Sequence, residues 1–157
     1  MFLNGGEMKK YKKLMGFLKR YTIVHVLVYL VVGLIFMYLM NYREAFATYD
    51  QFSNYRSLDS PIVRAAVLFQ ILRGLMIGLI LYPFRERIVK SQWGWLMLFS
   101  LLFGLTCLGA INASPGSIEG MIYTKTSFEE HLIGYPEVIV QSLGIGVLFW
   151  KWERKFK

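Results

Sequence analysis

Four long apolar stretches constrain the fold of this chain more than any other feature. They cover residues 21–40, 61–83, 93–112 and 133–150. A helix needs about 20 mostly apolar residues to cross the ~30 Å hydrocarbon core of a bilayer, since each residue adds ~1.5 Å. A soluble domain of 157 residues rarely carries 55% hydrophobic residues, because it could not bury them all. We therefore predict an all-α integral membrane protein, in which residues 1–157 form a single domain built on a bundle of four transmembrane helices.

The basic residues lie on alternate sides of these four stretches. They precede the first, separate the second from the third, and follow the fourth; the three clusters are Lys9, Lys10, Lys12, Lys13, Lys19 and Arg20, then Arg85, Arg87 and Lys90, and finally Lys151, Arg154, Lys155 and Lys157. The loops at 41–60 and 113–132 are neutral to acidic. Because cytoplasmic loops carry the excess of Lys and Arg, we expect both termini in the cytoplasm and a multi-pass protein of the inner or plasma membrane.

The net charge of +8 follows from the same clusters. On the cytoplasmic face they would contact the headgroups of anionic lipids. No groove of interleaved aromatic and basic residues is visible, so we do not expect nucleic acid as a partner.

A basic amphipathic helix is predicted over residues 1–20. Its apolar residues fall within one arc of about 120°, and the lysines occupy the other side; these apolar residues are Met8, Tyr11, Leu14, Met15 and Leu18. Such a helix lies in the headgroup region of the membrane. It either regulates binding to the membrane or a partner, or only leads the chain into the first span.

A second short helix is predicted in the loop at 113–132, on the outer surface. A capping box can form there between Thr126 and Glu129 or between Ser127 and Glu130. The helix is expected to run to about His131, ahead of the fourth span.

Each span carries small or polar residues along one side. They are Thr22, His25, Tyr29 and Gly33 in the first, Ala66, Gln70, Arg73 and Gly74 in the second, Ser100, Gly104 and Cys107 in the third, and Glu137, Gln141 and Gly144 in the fourth. Residues three, four or seven positions apart share a helix face. Lipid offers no hydrogen-bond partner, so these stripes should face the bundle interior or a contact between subunits.

Arg73 is the most demanding of these residues. It lies twelve residues after Pro61 and ten before Pro83, which places it ~15 Å from either membrane surface. An arginine at that depth costs about 2.5–3.5 kcal/mol on insertion scales. Its guanidinium stays protonated and matches a carboxylate or phosphate in shape. We therefore expect a partner, a water-filled cavity or an anionic ligand at Arg73.

The predicted intramembrane site gathers six residues around this arginine: Arg73, Gln70, Glu137, Gln141, Tyr29 and Arg64. Glu137 lies in the first turn of the fourth span, where the helix dipole alone favours an acid. In the alternative interpretation, Glu137 and Gln141 form one side of an outward-facing cavity, with Gln70 and Arg73 deeper on the other side. Arg64 either anchors its helix at the interface or pairs with Glu137.

Neither a metal nor a cofactor is expected. His25 and His131 would lie on opposite sides of the bilayer, so they cannot share one metal ion. Cys107 is the only cysteine of the chain, which excludes an intrachain disulfide and a cysteine metal site.

Three functions are compatible with these features. The first is a non-enzymatic transport, channel or ligand-binding protein, an oligomer that handles an anionic solute or lipid headgroup at Arg73. The second is an accessory or sensor subunit of a larger membrane complex, in which Arg73 pairs across a helix or subunit interface. The third is an intramembrane or lipid-modifying enzyme that uses Glu137, Glu119 or His131 as acid or base. The chain shows no close carboxylate pair, Ser–His arrangement or cysteine nucleophile, so we favour a non-enzymatic function.

Overall fold

The structure, a computed structural model, describes residues 5–49, 52–53 and 55–156. In these ranges every regular element is helical and no strand occurs, which confirms the all-α prediction. The elements are α1 (Gly5–Leu39), α2 (Tyr42–Thr48), α3 (Pro61–Arg64), α4 (Ala66–Leu81), a 3-10 turn (Tyr82–Phe84), α5 (Arg85–Lys90), α6 (Gly94–Phe99) with its π-helical continuation (Ser100–Leu108), α7 (Ile118–Tyr123), α8 (Phe128–Leu132) and α9 (Tyr135–Arg154).

Three helical stretches are long and apolar enough to cross a membrane. They are Gly5–Leu39, Ala66–Lys90 and Phe128–Arg154. The third predicted span is shorter, because Gly94–Leu108 contains six α-helical and nine π-helical residues. At an α-helical rise this stretch covers about 22 Å, less than the ~30 Å of a hydrocarbon core. The structure thus supports a membrane protein with three candidate spans, and the four-span topology stays a prediction.

The predicted basic helix at 1–20 and the predicted first span at 21–40 belong to one helix in the structure. Helix α1 continues from Gly5 to Leu39 without interruption, and residues 1–4 lie outside the described ranges. An established helix propagates easily, since each added residue gains one backbone hydrogen bond. The change from basic to apolar residues near Arg20 therefore does not mark the end of a helix.

The long helices pack side by side in the order α4, α1, α9, α6. Helix α1 lies between α4 and α9, and α6 packs on the far side of α9. The core between them is apolar and aromatic, with Phe17, Tyr21 and Phe149 fully buried. Glycines allow close approach where the helices meet; Gly74 contacts α1 at Thr22, and Gly146 contacts the backbone of α6.

The two ends of this row differ, and we name each after its carboxylate. At the Glu153 end, α9 reaches the turn that joins α5 to α6, where Trp150 Nε1 donates to the Ser91 carbonyl at 3.1 Å. At the Glu137 end lie α2, α7 and α8. The capping box of α8 is formed by Ser127 and Glu130, the second of the two predicted pairs.

Candidate functional site

A cavity of about 580 Å³ opens at the Glu137 end. Its wall is formed by α1, α2, α3 and α4, by residues 55–58, and by Glu137 of α9. Its volume lies within the ~300–1,000 Å³ typical of small-molecule sites. Most of its wall is aliphatic or aromatic. Its polar lining residues are Tyr29, Tyr42, Tyr55, Arg56, Gln70 and Glu137. The cavity therefore combines a large apolar surface with a few polar groups.

Glu137 supplies the carboxylate of this cavity. Helix α9 begins at Tyr135 with Pro136 as its second residue, so Glu137 lies in the first turn, where the helix dipole favours its charge. One carboxylate oxygen accepts a hydrogen bond from the Tyr42 hydroxyl, and the other accepts one from Gln141 Nε2 at 2.7 Å. Within the described part of the chain, no lysine, arginine or histidine forms an ion pair with Glu137.

Tyr42 reaches Glu137 because the chain turns sharply after α1. Asn41 adopts a left-handed backbone conformation with φ 42°, which asparagine tolerates better than most residues. Burial raises the pKa of the Tyr42 hydroxyl, and the hydrogen bond to the Glu137 carboxylate raises this pKa further. The hydroxyl therefore stays protonated at physiological pH and acts as the donor.

Gln70 connects the cavity to a buried polar strip on α1. Its Oε1 lies 3.1 Å from His25 Nε2, so a proton on that nitrogen would be donated to Gln70. The strip consists of Tyr21, Thr22 and His25. Each of these three side chains has a buried polar atom without a hydrogen-bond partner among the described residues: Tyr21 Oη, Thr22 Oγ1 and His25 Nδ1.

Four of the six residues predicted for the site come together in the structure. Tyr29, Gln70 and Glu137 line the cavity, and Gln141 is bonded to Glu137. The two arginines lie elsewhere. Arg73 is exposed on α4, outside the cavity lining, and Arg64 is exposed and lies 3.6 Å from Asp59 instead of near Glu137.

Arg73 is exposed because its neighbour Gly74 takes the direct contact with α1, although the charge of Arg73 lies close enough to Tyr21 and His25 to act on both. Consecutive residues of a helix point about 100° apart, so both cannot face the same neighbour. The face of α4 that turns inward carries Gly74, Gly78 and Leu81, all buried, together with Gln70. Among the described residues Arg73 has neither an ion pair nor a hydrogen bond.

A second polar cluster, at the Glu153 end, was not predicted from the sequence. Glu153 has no exposed side-chain surface, and its two oxygens accept hydrogen bonds at 2.6 Å from Arg20 Nε and Arg85 Nε. Arg85 Nη2 also donates to the Phe156 carbonyl at 3.1 Å, and the Arg20 guanidinium lies 4.2 Å from the centre of the Phe156 ring. We call this Arg20–Glu153–Arg85 cluster the triad. One feature of the sequence could have indicated this cluster: Glu153 is the only acidic residue in the basic stretch that follows the fourth predicted span.

The triad and the group around Glu137 differ in their capacity to bind a ligand. Each oxygen of Glu153 is engaged by an arginine and the carboxylate is fully buried, so the triad joins α1, α5 and α9. The Glu137 carboxylate lines an open cavity and keeps unused acceptor capacity, because a carboxylate offers about four lone-pair positions. Across the described residues, no group of three or more His, Cys, Asp or Glu could hold a metal ion.

Comparisons with family models, with curated proteins and with solved structures find no match to this chain. Its function is therefore inferred from the geometry of the cavity and from the position of Arg73 outside it.

Proposed function

We propose that this chain is a non-enzymatic transport, channel or ligand-binding protein that takes a small molecule into the cavity at the Glu137 end. One observation carries the proposal: a carboxylate lines a mostly apolar cavity, where Tyr42 and Gln141 hold it and no described cation neutralises it. Moving a charged group away from water costs free energy unless it is paired. A cavity of this size with a few convergent polar groups is the usual form of a ligand site.

We further propose four membrane crossings, with both termini in the cytoplasm and the cavity open to the outside. The triad supports this topology, because it brings the segments around Arg20, Arg85 and Glu153 to one end of the row. These segments carry the three basic clusters, which belong on the cytoplasmic side. The short helical stretch Gly94–Leu108 would then be the third crossing, since a bilayer thins locally around a short span.

Native mass spectrometry from a mild detergent tests the proposed ligand site. Val67 lines the cavity, whereas its neighbour Leu68 is 68% exposed on the outer side of α4. We expect wild type and Leu68→Trp to carry a bound small molecule that Val67→Trp loses, because the indole fills the cavity. A wild-type chain without bound mass, or a Val67→Trp variant that keeps it, would contradict the proposal.

A second candidate function is an accessory or sensor subunit, and the position of Arg73 favours it. Arg73 is exposed among apolar side chains such as Leu72 and Met76, which are 58% and 57% exposed. A guanidinium facing hydrocarbon needs a counter-charge, either from a neighbouring subunit or from an anionic lipid or solute.

The same mass measurement on Arg73→Ala separates these two partners. If the variant falls to monomers while wild type is an oligomer, Arg73 pairs across a subunit interface. If the oligomer persists and a bound phosphate-bearing lipid or anionic solute is lost, Arg73 is an anion site, and Arg73→Lys should retain part of the binding. If neither changes, Arg73 serves neither purpose.

A further inference from the structure

We infer that the ligand of this cavity is a lipophilic organic cation, of the class of protonated amines and quaternary ammonium or phosphonium ions. The inference rests on the proposed function, because it specifies the ligand of the same site. It departs from the sequence-based expectation of an anion at Arg73, since that arginine does not line the cavity.

The charges around the cavity favour a cationic ligand. Among the lining residues that the structure describes, Glu137 is the only acid and the exposed Arg56 is the only cation. Two further arginines, Arg43 and Arg64, share one oxygen of Asp59 at 3.4 Å and 3.6 Å, so this exposed group keeps a net positive charge. None of these three arginines forms an ion pair with Glu137, and all three are exposed to water, which screens their charges. The Glu137 carboxylate is therefore left for a positive charge that the ligand supplies, and opposite charges attract more strongly where water is scarce.

The hydrogen bonds of Glu137 leave its carboxylate able to bind a cation. The Tyr42 hydroxyl and the Gln141 amide both donate to the carboxylate. Donors directed at a carboxylate stabilise its charged form, which offsets part of the cost of burying that charge. Two of its about four lone-pair positions are thereby occupied, and the others stay available to a donor or cation in the cavity.

The aromatic residues of the cavity lining also suit a cationic ligand. Tyr29, Tyr42, Phe46 and Tyr55 line the cavity beside Glu137. Phe46 is held by a stacked contact with Phe52, with ring centroids 4.5 Å apart, and by an edge contact with Tyr55 at 5.7 Å. Aromatic faces attract cations within about 6 Å, and carboxylate-bearing aromatic pockets suit substituted ammonium ions. The aliphatic remainder of the wall would hold the apolar body of the ligand.

Tetraphenylphosphonium and tetraphenylborate form a matched pair of probes, because they share a shape and carry opposite charges. Their binding to the full-length chain in a mild detergent can be measured by equilibrium dialysis. The cavity-filled Val67→Trp variant measures binding to detergent and to other surfaces of the protein. We expect saturable binding of the phosphonium that Val67→Trp removes, and no such binding of the borate.

Variants of the carboxylate complete the test. We expect Glu137→Gln to weaken phosphonium binding by about tenfold or more, since the charge pair is lost. The control Glu129→Gln neutralises an exposed acid on α8 and should leave binding unchanged. Glu137→Asp keeps the charge and should retain more binding than Glu137→Gln; equal thermal unfolding of the variants shows that they are folded.

The failures of the two proposals are distinguishable. Cavity-dependent binding of tetraphenylborate without binding of the phosphonium would overturn the cation assignment and leave the proposed function standing. Phosphonium binding that is unchanged in Glu137→Gln would also overturn it. If neither probe binds in the cavity, the cation assignment is wrong, and the native mass of wild type against Val67→Trp then decides on the ligand site itself.

Discussion

Glu153 illustrates, at the scale of single residues, how an ion cluster can hold membrane helices together. Its carboxylate is fully buried and accepts one hydrogen bond from each of two arginines that lie 133 and 68 residues away in sequence. Taking charges out of water is costly, and the cost is recovered only while every partner is present. Loss of the carboxylate would leave two guanidiniums side by side, of which Arg85 is 8% exposed.

We therefore expect Glu153→Gln to destabilise the protein by about 3–5 kcal/mol, the range found when one partner of a buried ion pair is removed. The measurement is thermal or denaturant unfolding of the purified chain in detergent. Glu86→Gln is the matched control, because Glu86 forms an exposed pair with Lys90 at 2.9 Å at the same end of the row. Its unfolding midpoint should not move, since exposed pairs contribute little. Equal midpoints for both variants would show that the triad has no structural role.

Individual site residues were predictable only where local sequence places them. Pro136 sets the start of α9, so Glu137 in its first turn and Gln141 one turn later could be assigned from the sequence. Tyr42 and Glu153 could not, because their partners are set by the turn at Asn41 and by the packing of distant helices. Sequence spacing along one helix carries no information about which residue on another helix stands opposite.

At the scale of elements, glycines decide where two helices can touch. A Cβ on Gly146 would stand 2.7 Å from the Trp95 carbonyl oxygen and 3.4 Å from the Phe99 nitrogen, both on the backbone of α6. Helices α6 and α9 thus approach at this point as closely as backbone atoms allow. A Cβ on Gly104, in the π-helical part of the neighbouring stretch, would meet no atom within 4 Å.

Gly146→Ala should consequently lower the stability of the protein, whereas Gly104→Ala should not. Forcing a methyl group into a full contact costs about 1–3 kcal/mol, and alanine returns up to about 1 kcal/mol through its higher helix propensity. We expect a net loss of roughly 1–2 kcal/mol for Gly146→Ala, read from unfolding in detergent. Unchanged or raised stability in both variants would mean that α6 and α9 do not pack through Gly146.

The presence of a helix was easier to predict than its limits or its type. Apolar length located all four helical stretches, because a helix in lipid must satisfy its backbone internally. The π-helical hydrogen bonding of Ser100–Leu108 was not predicted. It continues to the bond from the Gly109 nitrogen to the Gly104 carbonyl at 2.7 Å, and an apolar run such as "SLLFGLTCL" fits an α-helix equally well.

At the scale of the whole molecule, composition does not reveal which side of a membrane helix packs inward. Lipid is as apolar as leucine, so interior and exterior faces carry similar residues. Leu72 on the outside of α4 and Leu81 on the inside illustrate this, at 58% and 5% exposed. The order α4, α1, α9, α6 therefore emerges only from the structure, in which glycine contacts and polar groups distinguish the two faces.

The number of membrane crossings depends on the short stretch Gly94–Leu108. The chain crosses four times if this stretch spans the membrane and three times if it does not. Single cysteines introduced into a Cys107→Ser background report the side of four exposed positions: Ala47, Glu86, Lys125 and Lys155. With four crossings and cytoplasmic termini, a membrane-impermeant maleimide labels the cysteines at 47 and 125 in intact cells. It labels those at 86 and 155 only after the membrane is opened, because the basic segments stay inside.

Each alternative topology gives a different labelling pattern. If Gly94–Leu108 does not cross, the cysteine at 125 behaves like the one at 86, and the one at 155 is labelled from outside. If all four helices cross in the opposite orientation, the pattern inverts at every position, and the Glu137 cavity would then open to the cytoplasm. The cysteine at 125 is thus the most informative of the four, because the two alternatives protect it from the external reagent and the proposed topology exposes it.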